Sequence, residues 1–327
     1  MRVLVTGGAG YIGSHTVQAL SARGHEPVVV DDLTTGHRES VPEARLIVAD
    51  CGDPEAMGPI LREERPDAVI HFAALKSVEE SVADPARYFD HNVAKTITLL
   101  EAMDRAGVRR FVYSSSAAVY GVPDKLPVGE DAPLRPLNPY GESKRIVETM
   151  LDWIGRAGRI DYAALRYFNA AGAADDGSRG EDWSAATNLI PLVMKAALGA
   201  GPAVRVFGTD YPTPDGTAVR DYIHVADLAE AHVRAVETLV AGEHSLVLNL
   251  GTGRGASVAE VIAATARVAG RDVPVEYGPR RPGDMPAIWA DSSRAERILG
   301  WRAARDLDDI VSSAWRWHSR SVPAGVR

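Results

Sequence analysis

Tyr140 and Lys144 stand four residues apart in the run Tyr140-Gly141-Glu142-Ser143-Lys144. That spacing places both side chains on one face of a helix. A free phenol titrates near about 10 and is a poor base at neutral pH, but a close ammonium favours the phenolate. Such a pair can take a proton from a hydroxyl and give it back. Upstream, the apolar residues 111–113 run into Ser114-Ser115-Ser116. Ser116, at the end of a neighbouring strand, could hydrogen-bond the same substrate oxygen. A Tyr-x-x-x-Lys pattern is common by chance, so its weight depends on what precedes it.

What precedes it is a glycine fingerprint. The apolar run 3–6 is followed by Gly7, Gly10 and Gly13 in the spacing G-x-x-G-x-x-G, opening a helical pattern at 12–22. Gly7 permits a tight turn off the strand, Gly10 lets the backbone approach a pyrophosphate, and Gly13 lets helix and strand pack closely. The free N–H groups of the helix N-terminus then face the phosphates. Asp31 ends the next strand, where it can accept hydrogen bonds from both ribose hydroxyls and repel a 2′-phosphate, which favours NAD over NADP. Asp32 adds to this or serves as a solvated turn residue. Asp50 follows the third strand, where it meets the adenine or caps the turn before Pro54. A positive nicotinamide near Tyr140 would favour its phenolate further.

These groups need a scaffold. Residues 3–6, 28–31, 46–48, 68–71, 111–114 and 162–166 read as strands, apolar on both faces, with helical spacing over 12–22, 86–106 and 140–154. The alternation predicts an α/β fold, a doubly wound parallel sheet of Rossmann type. After residue 168 the alternation loosens, which suggests a smaller mixed α/β domain. Residues 172–185, rich in Gly, Asp and Ser, read as a long loop, and 121–139, with five prolines, as a stiff irregular one. Ser257 with Glu260, and Ser293 with Glu296, read as capping boxes. Gly251–Gly255 lacks the ending of a P-loop and reads as a flexible turn.

The 327 residues suggest two domains. A net charge of −8 offers no global basic field for nucleic acid or an anionic membrane. No apolar run is long enough for a signal peptide or a membrane span. One cysteine, Cys51, suits a reducing cytoplasm. Nine histidines show no metal-ligand spacing, so no metal is expected, and His224 reads as packed or hydrogen-bonded rather than as a base.

Together with HFAALKSVEES at 71–81, RYFNAAGA at 166–173, VRDYIHVADLA at 219–229 and RRPGDMPAIWAD at 280–291, these motifs resemble the extended short-chain dehydrogenase/reductase family. Within it, the chain resembles the sugar-nucleotide 4-epimerases acting on UDP-glucose and UDP-galactose. The likeness covers nearly the whole sequence. It implies an NAD-binding domain over 1–168 and a UDP-sugar-binding domain over 169–327, with some segments interleaved. It implies interconversion of UDP-galactose and UDP-glucose by oxidation at C4, rotation of the 4-keto sugar and re-reduction, with NAD retained. Tyr140 would take the proton, Lys144 would hold the nicotinamide ribose, and Ser116 would position the reacting oxygen.

The resemblance extends the cofactor surface to Tyr11, Ile12, Leu33 and Cys51, to Phe72, Ala73, Ala74 and Lys76, and to Asn92, Ser114 and Phe168. For Phe72 and Ala73 plain core packing is an equal reading. On the substrate side it implies Arg220 and Arg281 at the diphosphate and Asp284 at the uridine ribose. Asn169 and Asn188 would meet the diphosphate or sugar, Phe207 the uracil region, with Lys76 and Tyr167 nearby. Ile288 holds a gate position beside the sugar 2-substituent. Its intermediate size implies weak tolerance of N-acetylated UDP-sugars. A homodimer through two long helices is also implied. The alternatives are another sugar-nucleotide enzyme of the same fold (a UDP-GlcNAc 4-epimerase, a decarboxylase or a 4,6-dehydratase) or a non-catalytic NAD-binding sensor. Ala117-Ala118 after Ser116 cannot supply the acid–base pair of a dehydratase, and a sensor would lose the Tyr–Lys pair.

Overall fold

A computed structural model describes residues 1–184, 186–281 and 284–320. The first half alternates strands and helices: β1 (Arg2–Thr6), α1 (Tyr11–Ala22), β2 (Glu26–Asp31), β3 (Arg45–Val48), α2 (Pro54–Glu64), β4 (Ala68–His71), α3 (Val78–Ala83), α4 (Pro85–Phe89), α5 (Lys95–Ala106), β5 (Arg110–Ser116), α6 (Pro139–Arg156) and β6 (Asp161–Tyr167). The second half follows with β7 (Asn169–Ala171), α7 (Leu189–Ala197), β8 (Val204–Phe207), β9 (Val219–Arg220), β10 (Tyr222–His224), α8 (Val225–Val240), β11 (Leu246–Leu250), β12 (Ala256–Ser257), α9 (Val258–Ala269), β13 (Val275–Gly278), β14 (Ala287–Ile288), α10 (Ser293–Leu299) and α11 (Leu307–Arg320).

Seven strands form one sheet in the order β11-β6-β5-β4-β1-β2-β3, and every pairing is parallel. Parallel strands need a helix on each face, which is why β1 buries Val3 and Val5 with α1 and α8, and Leu4 with α2, α5 and α6. The chain winds outward from β1 to β3, then crosses to β4 on the other side of β1. This reversal opens a crevice at the carboxyl ends of β1 and β4, the usual place for a ligand in such sheets. β11 and α8 return to this sheet from the second half of the chain. The remaining strands form small sheets, and α7, α9 and α11 share an apolar cluster around Val193, Met194, Val261 and Ile310.

The helical spacing over 86–106 is interrupted. A π-helical segment, Asp90–Ala94, separates α4 from α5. The wider turn lets the Asn92 side chain bond both the N–H and the carbonyl of Leu75, and Ser143 Oγ. The Ser257–Glu260 capping box is present. The one expected at Ser293 is not: Ser293 is the first residue of α10, and Ser292 Oγ is engaged with the backbone of Gly251. The 251–255 turn is pinned, because the buried Asp221 carboxylate accepts from Thr252 N and Oγ1. Before α2 the capping carboxylate is Asp53, while Asp50 bonds Gly52 N and pairs with Lys95 at 2.6 Å. No described helix is long and apolar enough to cross a membrane.

Five histidines are buried and held neutral. Desolvation pulls His71 down to about 3, and His15, His224, His232 and His318 to about 4. Their unfolded value is about 6.5. Below it the unfolded chain binds protons that the fold does not, so stability is lost as pH falls. Each such group costs on the order of 1.4 kcal/mol per pH unit until its folded pKa is reached. Urea unfolding midpoints are expected to fall steeply from pH 6.5 to 5. A flat midpoint over that range would show that these rings are not held neutral.

Candidate active site and dinucleotide cradle

The turn after β1 is built without side chains. Gly7 has φ +68°, donates to Val30 O at 2.9 Å, and a Cβ there would lie 2.5 Å from Ala73 N. A Cβ on Gly13 would lie 2.3 Å from Gly7 O, so α1 packs directly on the turn. Gly10 precedes α1 with no side-chain cap, and the first turn carries no acidic residue. Other helices in the chain are capped by Asp53, Ser77 or Asn138. The uncapped N–H groups and the absence of a Cβ at Gly10 leave a cradle suited to an anion. Asp31 Oδ2 accepts from Ala9 N and Oδ1 from Leu33 N, which fixes the carboxylate at the end of β2. Burial pushes its carboxyl up, opposed by those two N–H groups. These features fit a dinucleotide.

Around this cradle, Phe72 and Ala73 donate their N–H groups to Thr6 O, and the Phe72 ring lies 4.7 Å from the buried His232 ring. Both residues are thus tied to the end of β1, and Phe72 is packed as well. Tyr11 reaches across to Gly172 O at 2.6 Å. Asp32 Oδ1 takes a turn bond from Thr34 N. Burial pushes the Cys51 thiol up to about 12, so it is inert. The Asn92 amide, expected at the cofactor, is engaged with Leu75 and Ser143 and holds the segment after β4 against α6.

Asn138 caps α6 through Gly141 N, and a Cβ on Gly141 would meet Ala118 O at 2.6 Å. The helix start is thus pressed onto the turn that follows β5, and Tyr140 faces Ser116. Burial pushes Tyr140 above its ordinary value, and the Ser116 hydroxyl opposes the rise. The sequence suggested a lowered phenol. Within the chain alone Lys144 does not achieve this, because its Nζ lies 5.8 Å from the Tyr140 ring centre and donates to Ser114 O at 2.8 Å. Burial also pulls Lys144 down to about 7, opposed by Glu148. Ser114 Oγ meets the Tyr167 hydroxyl at 2.5 Å, so that phenol is engaged inside the sheet. Phe168 packs with Ala117, Tyr120 and Ile288.

The second half of the chain brings the expected anion-binding groups together. Arg220 Nη2 donates to Asp284 Oδ1 at 2.8 Å, and Arg281 Nε and Nη2 donate to Asp284 Oδ2 at 3.2 Å. The Arg281 guanidinium lies 4.7 Å over the Phe207 ring. Ile288, buried, is in register with Arg220 across β14 and β9. Asn169 is exposed at the head of β7. Asn188 precedes α7 and donates to Glu181 Oε1 at 3.0 Å, the same oxygen that Lys76 Nζ approaches at 3.5 Å. Glu181 and Arg179 were not singled out in the sequence. Arg179 binds Ser14 O and Glu43, strapping the 172–185 loop across α1. No local pattern announces contacts over more than a hundred residues.

The fold and the site define a nucleotide-dependent α/β enzyme scaffold with a Tyr–Lys–Ser centre. The chain belongs to the NAD dependent epimerase/dehydratase family, whose pattern matches residues 3–251. It is 48% identical over 327 residues to a UDP-glucose 4-epimerase of Lactobacillus helveticus, with 99% of each chain covered. Among solved structures, the UDP-glucose 4-epimerase of Stenotrophomonas maltophila with bound NAD and formylated UDP-arabinopyranose is 45% identical. Its TM-score is 0.96 over 98% of this chain and 100% of that one. The UDP-glucose 4-epimerase of Bifidobacterium longum in complex with NAD+ and UDP is 42% identical, with a TM-score of 0.93 over 98% of both chains.

Proposed function

We propose that this chain is an NAD-dependent epimerase that interconverts UDP-galactose and UDP-glucose by inverting C4. The observation that carries the reading is the joint presence of an uncapped glycine cradle, a Tyr140–Lys144–Ser116 centre and an Arg220–Asp284–Arg281 cluster, with Met285 and Ile288 packed against Ala117 beside Ser116. NAD, when bound, supplies the acceptor and donor of the C4 hydride. Gly7, Gly10, Gly13 and Asp31 would hold it, with Lys144 turned from Ser114 O toward its ribose. Tyr140 takes the proton of the 4-hydroxyl and returns it after the sugar has rotated. Ser116 directs that hydroxyl at the phenol. A cationic ring beside Tyr140 would join the Ser116 hydroxyl in offsetting the burial that raises the phenol. Arg220 and Arg281 grip the diphosphate, which stays anchored while the 4-keto sugar turns over.

The test is proton NMR of purified protein with UDP-galactose and no added NAD. Conversion to a mixture with UDP-glucose is expected. Loss of the C6 hydroxymethyl signal would instead indicate dehydratase chemistry. In the same assay UDP-N-acetylglucosamine is expected to turn over far more slowly, because buried Ile288 crowds the 2-substituent. Comparable rates on the two sugars would overturn that gate.

A homodimer and a cytoplasmic location complete the reading. α5 and α6 bury one face on the sheet, yet outward they expose Ile97 and Trp153, the latter 65% exposed. Ile97 and Trp153 lie on helices that cover the same face of the sheet, and that face is the proposed association surface. Trp153→Glu is expected to halve the mass measured by light scattering; an unchanged mass would rule this face out. Cell fractionation checks the location.

A further inference from the structure

Behind the Tyr140–Lys144 face lies a buried ionic network that the reaction as described does not use. Glu148 follows Lys144 by one helical turn, so Tyr140, Lys144 and Glu148 form a single row on α6. Its carboxylate accepts from Arg166 Nε at 3.0 Å and Nη2 at 2.6 Å, and from Ser115 Oγ. Arg166 Nη1 continues to Tyr120 OH at 2.9 Å and Glu130 O at 3.0 Å, and Tyr120 OH reaches Asn249 Oδ1 at 2.7 Å. Glu148, Arg166 and Ser115 are all buried. A buried ion pair contributes little net stability compared with apolar packing, so its presence calls for another reason.

Ser115 lies between Ser114, whose carbonyl receives Lys144, and Ser116 beside Tyr140. The Glu148–Ser115 bond therefore clamps α6 to β5 midway between the two contacts that set the centre. We propose that Glu148 is a positioning residue: it supplies the counter-charge that keeps Lys144 cationic and holds the Tyr140 helix in register with the Ser116 strand. This rests on the reading of Tyr140 and Lys144 given above. Among the described residues the other groups facing Lys144 carry no fixed negative charge to replace it, and the Tyr140 phenolate is itself the charge that Lys144 supports. They are His71 on β4, held neutral; Tyr113 on β5, whose ring lies 4.9 Å from Nζ; Tyr140 on α6; and Tyr167 on β6, bonded to Ser114. Burial draws Lys144 toward neutrality, and Glu148 opposes it.

The experiment compares pH profiles of kcat for UDP-galactose epimerisation by NAD-loaded wild type, Glu148→Gln, Glu148→Asp and the double variant Glu148→Gln/Arg166→Met. The double variant leaves no lone buried charge and so folds where Glu148→Gln alone fails. An ammonium deprotonates as pH rises, so losing the counter-charge moves the alkaline limb down. A shift of about one pH unit is expected in Glu148→Gln, which leaves the Arg166 cation unpaired, with kcat at pH 8 lowered about tenfold, and a smaller shift in the same direction in the double variant. KM should stay within about twofold, since Glu148 touches no substrate group. Glu148→Asp keeps the charge and should keep the limb. An alkaline limb unmoved in the double variant, or a rise in KM at unchanged kcat, overturns the proposal. Wild type that does not epimerise overturns the functional reading instead.

Discussion

Tyr140→Phe is expected to lower kcat for UDP-galactose about a thousandfold while leaving KM within a few fold and bound NAD near wild-type content. The change removes only the phenol oxygen, so the ring keeps its place where α6 meets the turn after β5. Positioned acid–base groups contribute roughly 10²–10⁴-fold. The middle of that range, rather than its lower end, is expected here because one group serves both the oxidation and the return. KM should hold because the groups proposed to anchor the substrate, Arg220, Arg281 and Asp284, form their own cluster in the second half of the chain. Steady-state kinetics with a parallel measurement of protein-bound NAD gives the answer. A drop smaller than about tenfold would remove Tyr140 as the proton acceptor. A large drop accompanied by loss of NAD would mean that the substitution had disturbed the cradle instead.

The second large effect is expected at Gly7. Gly7→Ala should yield protein that carries little NAD and unfolds at lower urea. Two costs add. The residue sits at φ +68°, where a side chain costs about 1–2 kcal/mol. Its Cβ would also stand 2.5 Å from Ala73 N and 2.8 Å from Ala73 Cα, backbone atoms that cannot rotate away. Overpacking of this kind costs about 1–3 kcal/mol. The sum is on the order of 3 kcal/mol, and relief requires β1's turn and the segment after β4 to part where the dinucleotide is held. Gly24→Ala is the control. It has φ +76° but open space around it, so only the conformational cost applies and NAD content should not change. Equal losses at both positions would show that backbone strain, not the closeness of Ala73, makes Gly7 a glycine.

The local signals in this chain are those with short periods. The glycine spacing of 7–13 specified a turn and a helix start. The four-residue step from Tyr140 to Lys144 specified a shared face. Apolar runs such as Val28–Val30 and Ala68–Ile70 required strands covered on both sides, and with them a parallel sheet. His224 was legible as a hydrogen-bonded residue. It precedes α8, accepts from Ala226 N and meets Ser313 Oγ at 3.0 Å. The arginines at 220 and 281 could be singled out only through whole motifs that resemble known proteins, because no period links positions 61 residues apart.

Tertiary structure decided the rest. The helical spacing over 86–106 carried no sign of the π-helical turn, since the partners that Asn92 meets through it, Leu75 and Ser143, belong to other elements. Ser293 had the right neighbours for a cap, but the bend before it placed Ser292 there and directed that hydroxyl to Gly251. The electrostatics of the centre could not be read from types and spacing. Burial raises Tyr140 and draws Lys144 down to about 7, and only the folded sheet sets that burial. Glu148 and Arg166 are 18 residues apart and look like ordinary surface charges in the sequence. They become a buried pair because α6 packs across β5 and β6. The sequence by itself determined the parts and their local geometry, because each depends on neighbours within a turn or a strand. The desolvation and long-range pairing that tune the reactive groups came only with the packed fold, because they depend on atoms brought together from distant parts of the chain.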